Sequence, residues 1–435
     1  MDVKFFDREV ETLPPERLRA LQGAKLVTLI EKTYQSNPFV TAKLDAAGVT
    51  PKDVRSFDDL SSLPFTTKAD LSAAQDQRTT SANCTFPESS YTRFHRTSGT
   101  TGEPLKVFDT AQSWDWWADC WAIVLAGAGV TAEDRLFFPF SFGPFIGFWS
   151  ALGGAEKIGA LVVPGGGSTS IQRLQLMADL GVTAMCCTPS YGLHLTEVAR
   201  DEGFDLTNIP LRLMVVAGEP GGSIPATKSR LEDAWGAECY DHAGASEVGA
   251  HSFECQARSG ATHAIESEFI VEVLEPGSDR PVATGEAGEL VITNLGRFCF
   301  PVIRYRTGDI VRVDESPCPC GRTFTRFSGG IIGRADDMVV VRGVNIFPGA
   351  VEGLLRRHQE VDEFRVTIAR PGAMAEILIE IECRDGTDGD GAADRVTRHF
   401  AETLGLRPKV TTAAPGTLPR FEFKARRFFV EDSPT

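Results

Sequence analysis

The 435-residue chain lacks the marks of membrane, exported and nucleic-acid-binding proteins. It has no apolar run of the roughly 20 residues that a membrane-spanning helix needs, and its charged start, residues 1–9, has no signal-peptide core. A net charge of −15 argues against nucleic acid as the main partner. We therefore expect a cytoplasmic protein that binds neither membrane nor nucleic acid, although a nucleotide needs only a locally positive site.

Cysteine is too sparse for a disulfide scaffold. Ten cysteines in 435 residues, without an export signal, indicate free thiols or metal ligands. A hydrophobic content of 42% and a charged content of 24% are typical of a soluble globular protein. The length exceeds that of one ordinary domain, so we expect a large core and a smaller second domain.

The middle of the chain alternates short apolar runs with helical patterns, such as those at 171–180 and 192–201. The apolar runs are typical of buried strands and lie at 135–138, 159–163, 183–187 and 213–216. This order predicts an α/β domain with a parallel sheet and helices on both faces. A β-rich part is predicted at about 268–345, and a small α+β domain follows from about 337.

The most informative segment is Thr97–Gly102, which combines glycines with hydroxyl residues and lies between Arg96 and Lys106. Glycines allow a backbone to approach a ligand closely, and hydroxyl and N–H groups donate to phosphate oxygens. The spacing is not that of a Walker A loop. We interpret the segment as a phosphate-binding loop, and a Gly/Thr-rich surface turn is the alternative.

Further motifs follow this loop. Ala217–Pro220 and Asp241–Val248 each come after a predicted strand, and Tyr305–Asp309 precedes one. Gly333–Asp337, followed by Arg342–Pro348, opens the last domain. In this order they resemble the adenylate-forming enzymes, the acyl-CoA synthetase and luciferase superfamily. The similarity is greatest to the phenylacetate–CoA ligase branch at Arg93-x-His95, Ser246-Glu247-Val248, Arg304–Thr307, Arg342–Pro348 and Leu418-Pro419-Arg420 with Lys424.

The resemblance implies a large N-terminal adenylation domain, residues 1–335, and a small mobile α+β lid domain, residues 336–435, with a hinge at Asp336. It also implies the reaction: a carboxylate attacks the α-phosphorus of ATP, pyrophosphate leaves, and the acyl-adenylate meets the thiol of coenzyme A. Neither step needs a protein nucleophile, so catalysis consists of positioning and charge neutralisation.

The resemblance also assigns roles to residues. Lys424 would span the acyl carboxylate and the α-phosphate, Glu247 would hold Mg²⁺, and His95 would complete the catalytic set. The alternative for Lys424 is a surface lysine in the basic run 424–427. Asp309 would accept from the ribose hydroxyls, and Arg334 would reach the ribose or phosphate side. The other residues expected around the nucleotide are Thr97, Ser98, Gly99, Thr100, Thr101, Gly102, Gly218, Glu219, Pro220, His242, Ala243, Gly244, Ser246 and Gly343.

Two positions depart from the family pattern. Ala243 stands where an aromatic residue commonly stacks on adenine, and His242 is the candidate replacement. Glu103 stands where a lysine is common in the phosphate loop, with Lys106 or Arg96 as candidates to compensate. Both departures bear on the use of ATP.

The segment Phe137–Trp149 is dense in aromatic residues and glycines, which fits a flat slot for an aryl ring as well as core packing. The candidates for contact with the acid are Phe140, Phe142, Phe145, Gly218 and Ala245. Ser190, Tyr191 and His194 could read polar substituents of the ring. The sequence therefore favours an aryl or arylacetic acid as substrate.

Cys318 and Cys320 stand two residues apart on a Gly-containing turn, and Cys255 and His263 lie upstream. Together they would supply the Cys₃His set of a tetrahedral structural Zn²⁺, a pattern shared by related ligases of this branch. His251 is the second choice for the histidine ligand. Reduced cysteines in a loop are the alternative.

Two other functions stay open at this stage. The acyl-adenylate could pass to a carrier-protein pantetheine or an amine instead of coenzyme A, or the chain could bind nucleotide or aryl ligand without turnover. The sequence leaves the oligomeric state open, with a homodimer as one candidate.

Overall fold

The computed structural model describes residues 3–75, 81–97, 104–257, 260–341, 344–369, 375–420 and 426–431. Within these ranges the helices are α1 (Arg8–Glu11), α2 (Pro15–Thr33), α3 (Pro38–Ala46), α4 (Lys68–Ala73), α5 (Ala111–Ala128), α6 (Trp149–Ile158), α7 (Ser170–Asp179), α8 (Pro189–Asp201), α9 (Pro225–Trp235), α10 (Pro348–Arg356) and α11 (Gly389–Leu404). Among them, no helix has the length and apolar character that crossing a membrane requires.

The strands of the same ranges are β1 (Tyr91–Arg96), β2 (Lys106–Thr110), β3 (Arg135–Phe138), β4 (Leu161–Pro164), β5 (Ala184–Cys187), β6 (Leu213–Val216), β7 (Glu238–Ala245), β8 (Gly249–Glu254), β9 (Ala261–Ala264), β10 (Phe269–Leu274), β11 (Ala287–Asn294), β12 (Tyr305–Asp314), β13 (Arg326–Ser328), β14 (Gly333–Arg334), β15 (Val339–Val341), β16 (Val344–Ile346), β17 (Val361–Ala369), β18 (Glu376–Cys383), β19 (Lys409–Ala413) and β20 (Phe428–Val430).

One large mixed sheet runs through the first part of the chain, in the order β10-β11-β12-β13-β9-β8-β7-β6-β5-β3-β4. Strands β4, β3, β5, β6 and β7 are parallel, whereas β7 pairs antiparallel with β8. The predicted α/β fold with a β-rich part is therefore confirmed. Because β7 belongs to both halves, the β-rich part continues the parallel sheet.

Alternate residues of the parallel strands face two separate cores. Phe138, Cys186 and Val215 belong to the core under α5 and α6, whereas Phe137 and Met214 belong to the core under α7, α8 and α9. This alternation explains the short, fully apolar runs, since a strand covered on both faces has no polar side. The predicted helices on both faces are confirmed.

A further core lies at the end of the chain. Its four-stranded sheet has the order β19-β18-β17-β20, and a hydrophobic cluster that starts at Val339 and extends to Leu406 packs it against α10 and α11. A small α+β unit is therefore present, as the pattern predicted.

Two local expectations were wrong. Asp241–Ala245, expected after a strand, forms the end of β7, and Tyr305–Asp309, expected before a strand, begins β12. Sheet pairing explains each difference. These segments contain polar residues, but they pair with adjacent strands of the sheet, and those strands supply the apolar side chains of the core. Asp241–Ala245 and Tyr305–Asp309 therefore lie in strands, whereas Gly218 and Glu247 follow strands.

Candidate active site

Several predicted residues meet beyond the carboxyl ends of the parallel strands, where open α/β sheets bind ligands. After β6 the chain turns at Gly218, whose φ of 93° is a left-handed conformation that favours glycine. The next residue, Glu219, accepts a hydrogen bond of 2.7 Å from the backbone N–H of Ser190. The turn after β6 is thereby fixed to the first turn of α8.

Asp241 lies at the same edge, at the end of β7, and the sequence had placed it in the motif Asp241–Val248 without a role of its own. Its carboxylate accepts a hydrogen bond from Ser223, and burial raises its pKa to about 6. Gly222 lies against this carboxylate, so a side chain there would collide with it.

Glu247 follows β7 in a partly buried position. The phenol of Tyr305 donates a hydrogen bond of 2.8 Å to its carboxylate, and burial, followed by the charge of Glu247, raises the pKa of Tyr305 well above its usual range. The preceding residue, Ser246, accepts at its carbonyl from Arg297 at 2.7 Å. Hydrogen bonds therefore fix both the carboxylate of Glu247 and the turn that carries it.

The predicted phosphate loop connects β1 to β2, which form a hairpin. Thr97 closes the base of the loop, because its N–H donates to the Leu105 carbonyl at 3.0 Å and its Oγ1 accepts from the Leu105 N–H at 2.9 Å. Ser98, Gly99, Thr100, Thr101, Gly102 and Glu103 lie outside the described residues.

His95 is placed on β1 beside the acyl region. Its ring stacks on Trp114 with centroids 5.2 Å apart, and it is only 4% exposed. Burial lowers the pKa of His95 to about 4, so the imidazole is neutral near pH 7. Within the described part of the chain, its Nδ1 atom has no hydrogen-bond partner.

Asp309 and Arg334 are brought together by the pairing of β12 with β14. Their charged groups are 3.2 Å apart, and Arg334 also donates to Asp336 at 3.0 Å. Gly308 has a φ of 77° and lies against the guanidinium of Arg334. The predicted ribose and phosphate contacts thus stand next to the predicted hinge. Gly343 and Lys424 lie outside the described residues.

The aromatic segment is divided between core and surface. Phe140 is buried and contacts Phe142, with ring centroids 5.3 Å apart, whereas Phe142 and Phe145 are partly exposed. On β7, Ala243 and Ala245 are also partly exposed. Part of this segment therefore packs in the core, and part of it is accessible to a ligand.

The position of His242 does not support stacking on adenine. Its ring is buried, lies 4.3 Å from the ring of Trp121, and has its Nδ1 atom 2.7 Å from the Ser252 carbonyl. The side chain alternation along β7 explains this, because His242 and Ala243 point to opposite faces. The position that the family fills with an aromatic ring is occupied here by Ala243 alone.

A polar group that the sequence did not reveal borders the aromatic segment. Arg173 is 3% exposed and donates to the Gly165 carbonyl, the Tyr191 hydroxyl and the Ser141 hydroxyl. These acceptors are all neutral. Tyr191 also contacts Ser170, so one of the residues expected to read ring substituents belongs to this group.

The four predicted zinc ligands come together. The ligand atoms of Cys255, His263, Cys318 and Cys320 all lie within 4.8 Å of one another, and all four residues are buried. The Sγ atoms of Cys255 and Cys318 are 3.6 Å apart, and Cys320 Sγ is 3.5 Å from His263 Nε2. His251, the second choice, is not part of this cluster, since its ring packs near Phe269.

The sequence matches the family model of the AMP-binding enzyme over residues 11–298, and that of the AMP-binding enzyme C-terminal domain over residues 343–431. It is 33% identical to the phenylacetate-coenzyme A ligase of Thermus thermophilus, over 96% of this chain and 97% of that protein. Identity to the phenylacetate-coenzyme A ligase of Escherichia coli is 32%, over 97% of this chain and 96% of that protein.

Solved structures agree with these matches. The structure resembles 2-hydroxyisobutyryl-CoA ligase in the postadenylation state with 2-HIB-AMP, with a TM-score of 0.92, 29% identity, and coverage of 99% of this chain and 93% of that chain. Against the same enzyme with 2-HIB-AMP and CoA in the thioesterification state, the TM-score is 0.74, with 30% identity and coverage of 98% and 92%.

Proposed function

The chain belongs to the family of AMP-binding enzymes, the adenylate-forming superfamily, and from this premise we propose that it is an AMP-forming acid–CoA ligase. It activates an aryl or arylacetic acid with ATP to the acyl-adenylate, releases pyrophosphate, and transfers the acyl group to coenzyme A. The observation that carries the proposal is that Tyr305 brings Glu247 together with the Asp309–Arg334 pair, while Glu247 and Glu219 follow the adjacent parallel strands β7 and β6.

In this proposal the chain positions the reactants and neutralises charge. The loop 98–102 binds the phosphates, the turn Gly218–Pro220 lines the adenine, and Asp309 accepts from the ribose hydroxyls. Lys424 lies between the acyl carboxylate and the α-phosphate. His95, whose pKa is lowered to about 4 by burial, stays neutral near pH 7, and it therefore adds no charge of its own beside the acid.

The carboxylate of Glu247 fits a magnesium ion. Its oxygen is a hard ligand, and the hydrogen bond from Tyr305 fixes its direction without supplying a competing positive charge. Bound Mg²⁺ would neutralise phosphate charge as ATP reacts. A Glu247 that is fixed before the nucleotide arrives would lose little entropy on binding the ion.

The substrate proposal rests on the aromatic side chains next to β3. Phe140, Phe142 and Phe145 form mutual ring contacts of 5.3 and 6.3 Å, and such rings favour a flat apolar acid. Gly218 and Ala245 are the small residues that we propose to border the acid. The similarity to two phenylacetate-coenzyme A ligases supports an aryl acid and coenzyme A as the acceptor.

We also propose that residues 1–335 and 336–435 act as two domains that reorient about Asp336. The separate core that starts at Val339 supports the division. The TM-scores of 0.92 and 0.74 against two states of one ligase support an arrangement similar to the postadenylation state. Rotation about the exposed Asp336 would exchange Lys424 for the segment Arg342–Pro348 at the site.

The cysteine cluster is proposed to hold a structural Zn²⁺. Zinc–sulfur bonds of about 2.3 Å in a tetrahedral site place two sulfur atoms roughly 3.8 Å apart, close to the 3.6 Å between Cys255 and Cys318. The backbone carbonyl of Phe324 lies 3.3 Å from His263 Nδ1 and directs Nε2 toward the thiols. With four protein ligands, no position is left for a substrate.

Pyrophosphate release tests the proposed function. The purified protein is given ATP, Mg²⁺ and a panel of aryl, arylacetic and aliphatic acids, with and without coenzyme A. Sustained turnover that needs both an aryl acid and coenzyme A is the expected result. If turnover needs a carrier protein or an amine instead of coenzyme A, that molecule is the acceptor. If no acid causes pyrophosphate release, the proposal is contradicted.

A further inference from the structure

Two arginines flank the segment that carries Lys424 in the sequence, and both reach the same helix of the large domain. Arg420 precedes the segment and Arg427 follows it. Each belongs to the C-terminal unit, whereas the helix, α8, belongs to the parallel-sheet unit. The two contacts therefore join the units on either side of the catalytic lysine.

Arg420 is held by a carboxylate of its own unit. It donates to both oxygens of Glu382, at 2.6 and 3.3 Å, and Glu382 is 2% exposed on β18. The remaining Nε–H of Arg420 donates to Glu197 of α8 at 2.9 Å. A bidentate pair fixes a guanidinium in one plane. The Nε–H group of Arg420 is therefore already oriented toward α8.

Arg427 repeats this arrangement. It forms a bidentate pair with Glu363 of β17, with distances of 2.5 and 2.8 Å, and Glu363 is 3% exposed. Its third donor, Nη1–H, reaches the hydroxyl of Ser190 at 2.8 Å. Both arginines thus give two donors to a buried glutamate of their own unit and one donor to α8.

The two receiving residues share one face of α8. Ser190 and Glu197 are seven residues apart, which is about two turns and roughly 10 Å along a helix. The backbone N–H of Ser190 also donates to Glu219 in the turn after β6. The contact of Arg427 is therefore one residue away from the predicted nucleotide site.

We propose that Arg420 and Arg427 are positioning residues that dock the C-terminal domain on α8 for the adenylation half-reaction. This inference rests on the proposed function, in which the two domains adopt one arrangement for adenylation and another for thioester formation. It names the contacts that favour the first arrangement. Each arginine keeps its buried glutamate, and its hydrogen bond to α8 breaks when the domain rotates. The bonds of Arg230 to the Gln359 and Val361 carbonyls join the same two units and would break with it. Single contacts of this kind are individually weak, so the domain can dock and still leave.

The test changes the receiving residues and leaves both arginine–glutamate pairs intact, so that the C-terminal core is not disturbed. Ser190→Ala keeps the backbone N–H that Glu219 uses. Glu197→Ala removes a partly exposed carboxylate, and Glu202→Ala, at the exposed end of the same helix, is the matched control. Single-turnover pyrophosphate formation reports adenylation, and thioester formation from supplied acyl-adenylate and coenzyme A reports the second half-reaction.

The double variant S190A/E197A is expected to slow adenylation by about 10-fold or more, with thioester formation unchanged or faster, and Glu202→Ala is expected to match the wild type. Equal loss in both half-reactions, or no loss in adenylation, would overturn the proposal.

A second readout does not depend on activity. Spin labels at the exposed positions Asp179 and Arg398 report the distance between the two units. We expect the double variant to show a broader or shifted distance distribution than the wild type. An unchanged distribution would overturn the docking role even if no acid is found to be a substrate, and this separates the failure of the inference from failure of the proposed function.

Discussion

Arg297 and Asp109 form an ion pair that is completely shielded from solvent, with Nη2 and Oδ2 2.6 Å apart. Asp109 lies on β2 behind the phosphate loop, and Arg297 also donates to the carbonyl of Ser246 beside Glu247. One buried guanidinium thus connects the loop hairpin to the proposed magnesium ligand. The rings of Trp117 and Phe300 cover it at 5.1 and 5.4 Å.

Loss of this arginine should therefore destabilise the whole protein. Arg297→Met leaves the Asp109 carboxylate buried without its partner, at an expected cost of about 3 to 5 kcal/mol in the free energy of unfolding. Urea denaturation measures this cost. The double variant R297M/D109L should recover part of it, because no unpaired charge remains, and a single variant that unfolds like the wild type would contradict the prediction.

Glu247 should control the magnesium requirement. Glu247→Gln removes the negative charge but keeps the size, and pyrophosphate release is expected to fall by about 100-fold and to need more Mg²⁺. Tyr305→Phe, which removes only the hydrogen bond to Glu247, should cost much less. Magnesium titrations of both variants measure the difference, with the exposed Glu286→Gln as the control. An unchanged magnesium dependence in Glu247→Gln would rule out this role.

Lys424 should matter for one half-reaction only. Lys424→Ala is expected to lose adenylation by about 100-fold or more, because the ammonium no longer offsets the charge that develops between carboxylate and phosphate. Thioester formation from supplied acyl-adenylate should continue. Lys409→Ala, on the exposed strand β19, is the control. A parallel loss in both half-reactions would assign Lys424 a general structural role.

The zinc proposal predicts one Zn²⁺ per chain in protein purified without chelator. Cys320→Ser should abolish binding and lower the melting temperature, because three β-rich segments are held by the ion. Elemental analysis and thermal unfolding measure the two effects. Cys84→Ser, at a partly exposed thiol outside the cluster, should change neither. The proposal would be contradicted if the wild-type protein contained no metal and had the same melting temperature with and without added Zn²⁺.

Asp241 should make stability depend on pH. Burial raises its pKa from the ordinary 3.8 to about 6, so the folded state binds its proton more tightly than the unfolded state. Stability from this group is therefore present below about pH 4 and is lost as the pH rises toward 6.

Asp241→Asn removes that loss. The variant should gain stability over the wild type as the pH rises from 4 to 6, by on the order of 2 kcal/mol, and keep the gain at pH 8. Thermal unfolding at several pH values measures the difference. Asp205→Asn, which changes an exposed carboxylate whose hydrogen bonds to Thr207 lower its pKa, should show the opposite trend. A pH-independent difference for Asp241→Asn would contradict the assignment.

The sequence by itself determined the local elements and the chemical inventory. Short, mainly apolar runs identified β3 and β6 to the residue, because a strand buried on both faces needs few polar positions. The spacing of Cys318 and Cys320, with Cys255 and His263 upstream, named the four residues that the structure gathers. Such signals are local in the sequence, or they depend on a rare residue type. They can therefore be read without knowledge of the fold.

Only the tertiary structure decided which distant residues meet. Nothing near Arg297 in the sequence indicates Asp109, 188 residues away, and nothing near Arg420 indicates Glu197, 223 residues away. His242 has a polar side chain in a promising motif, yet the alternation of β7 turns it toward Trp121. Pairing partners and side chain directions are set by sheet order and packing, which a one-dimensional pattern does not contain.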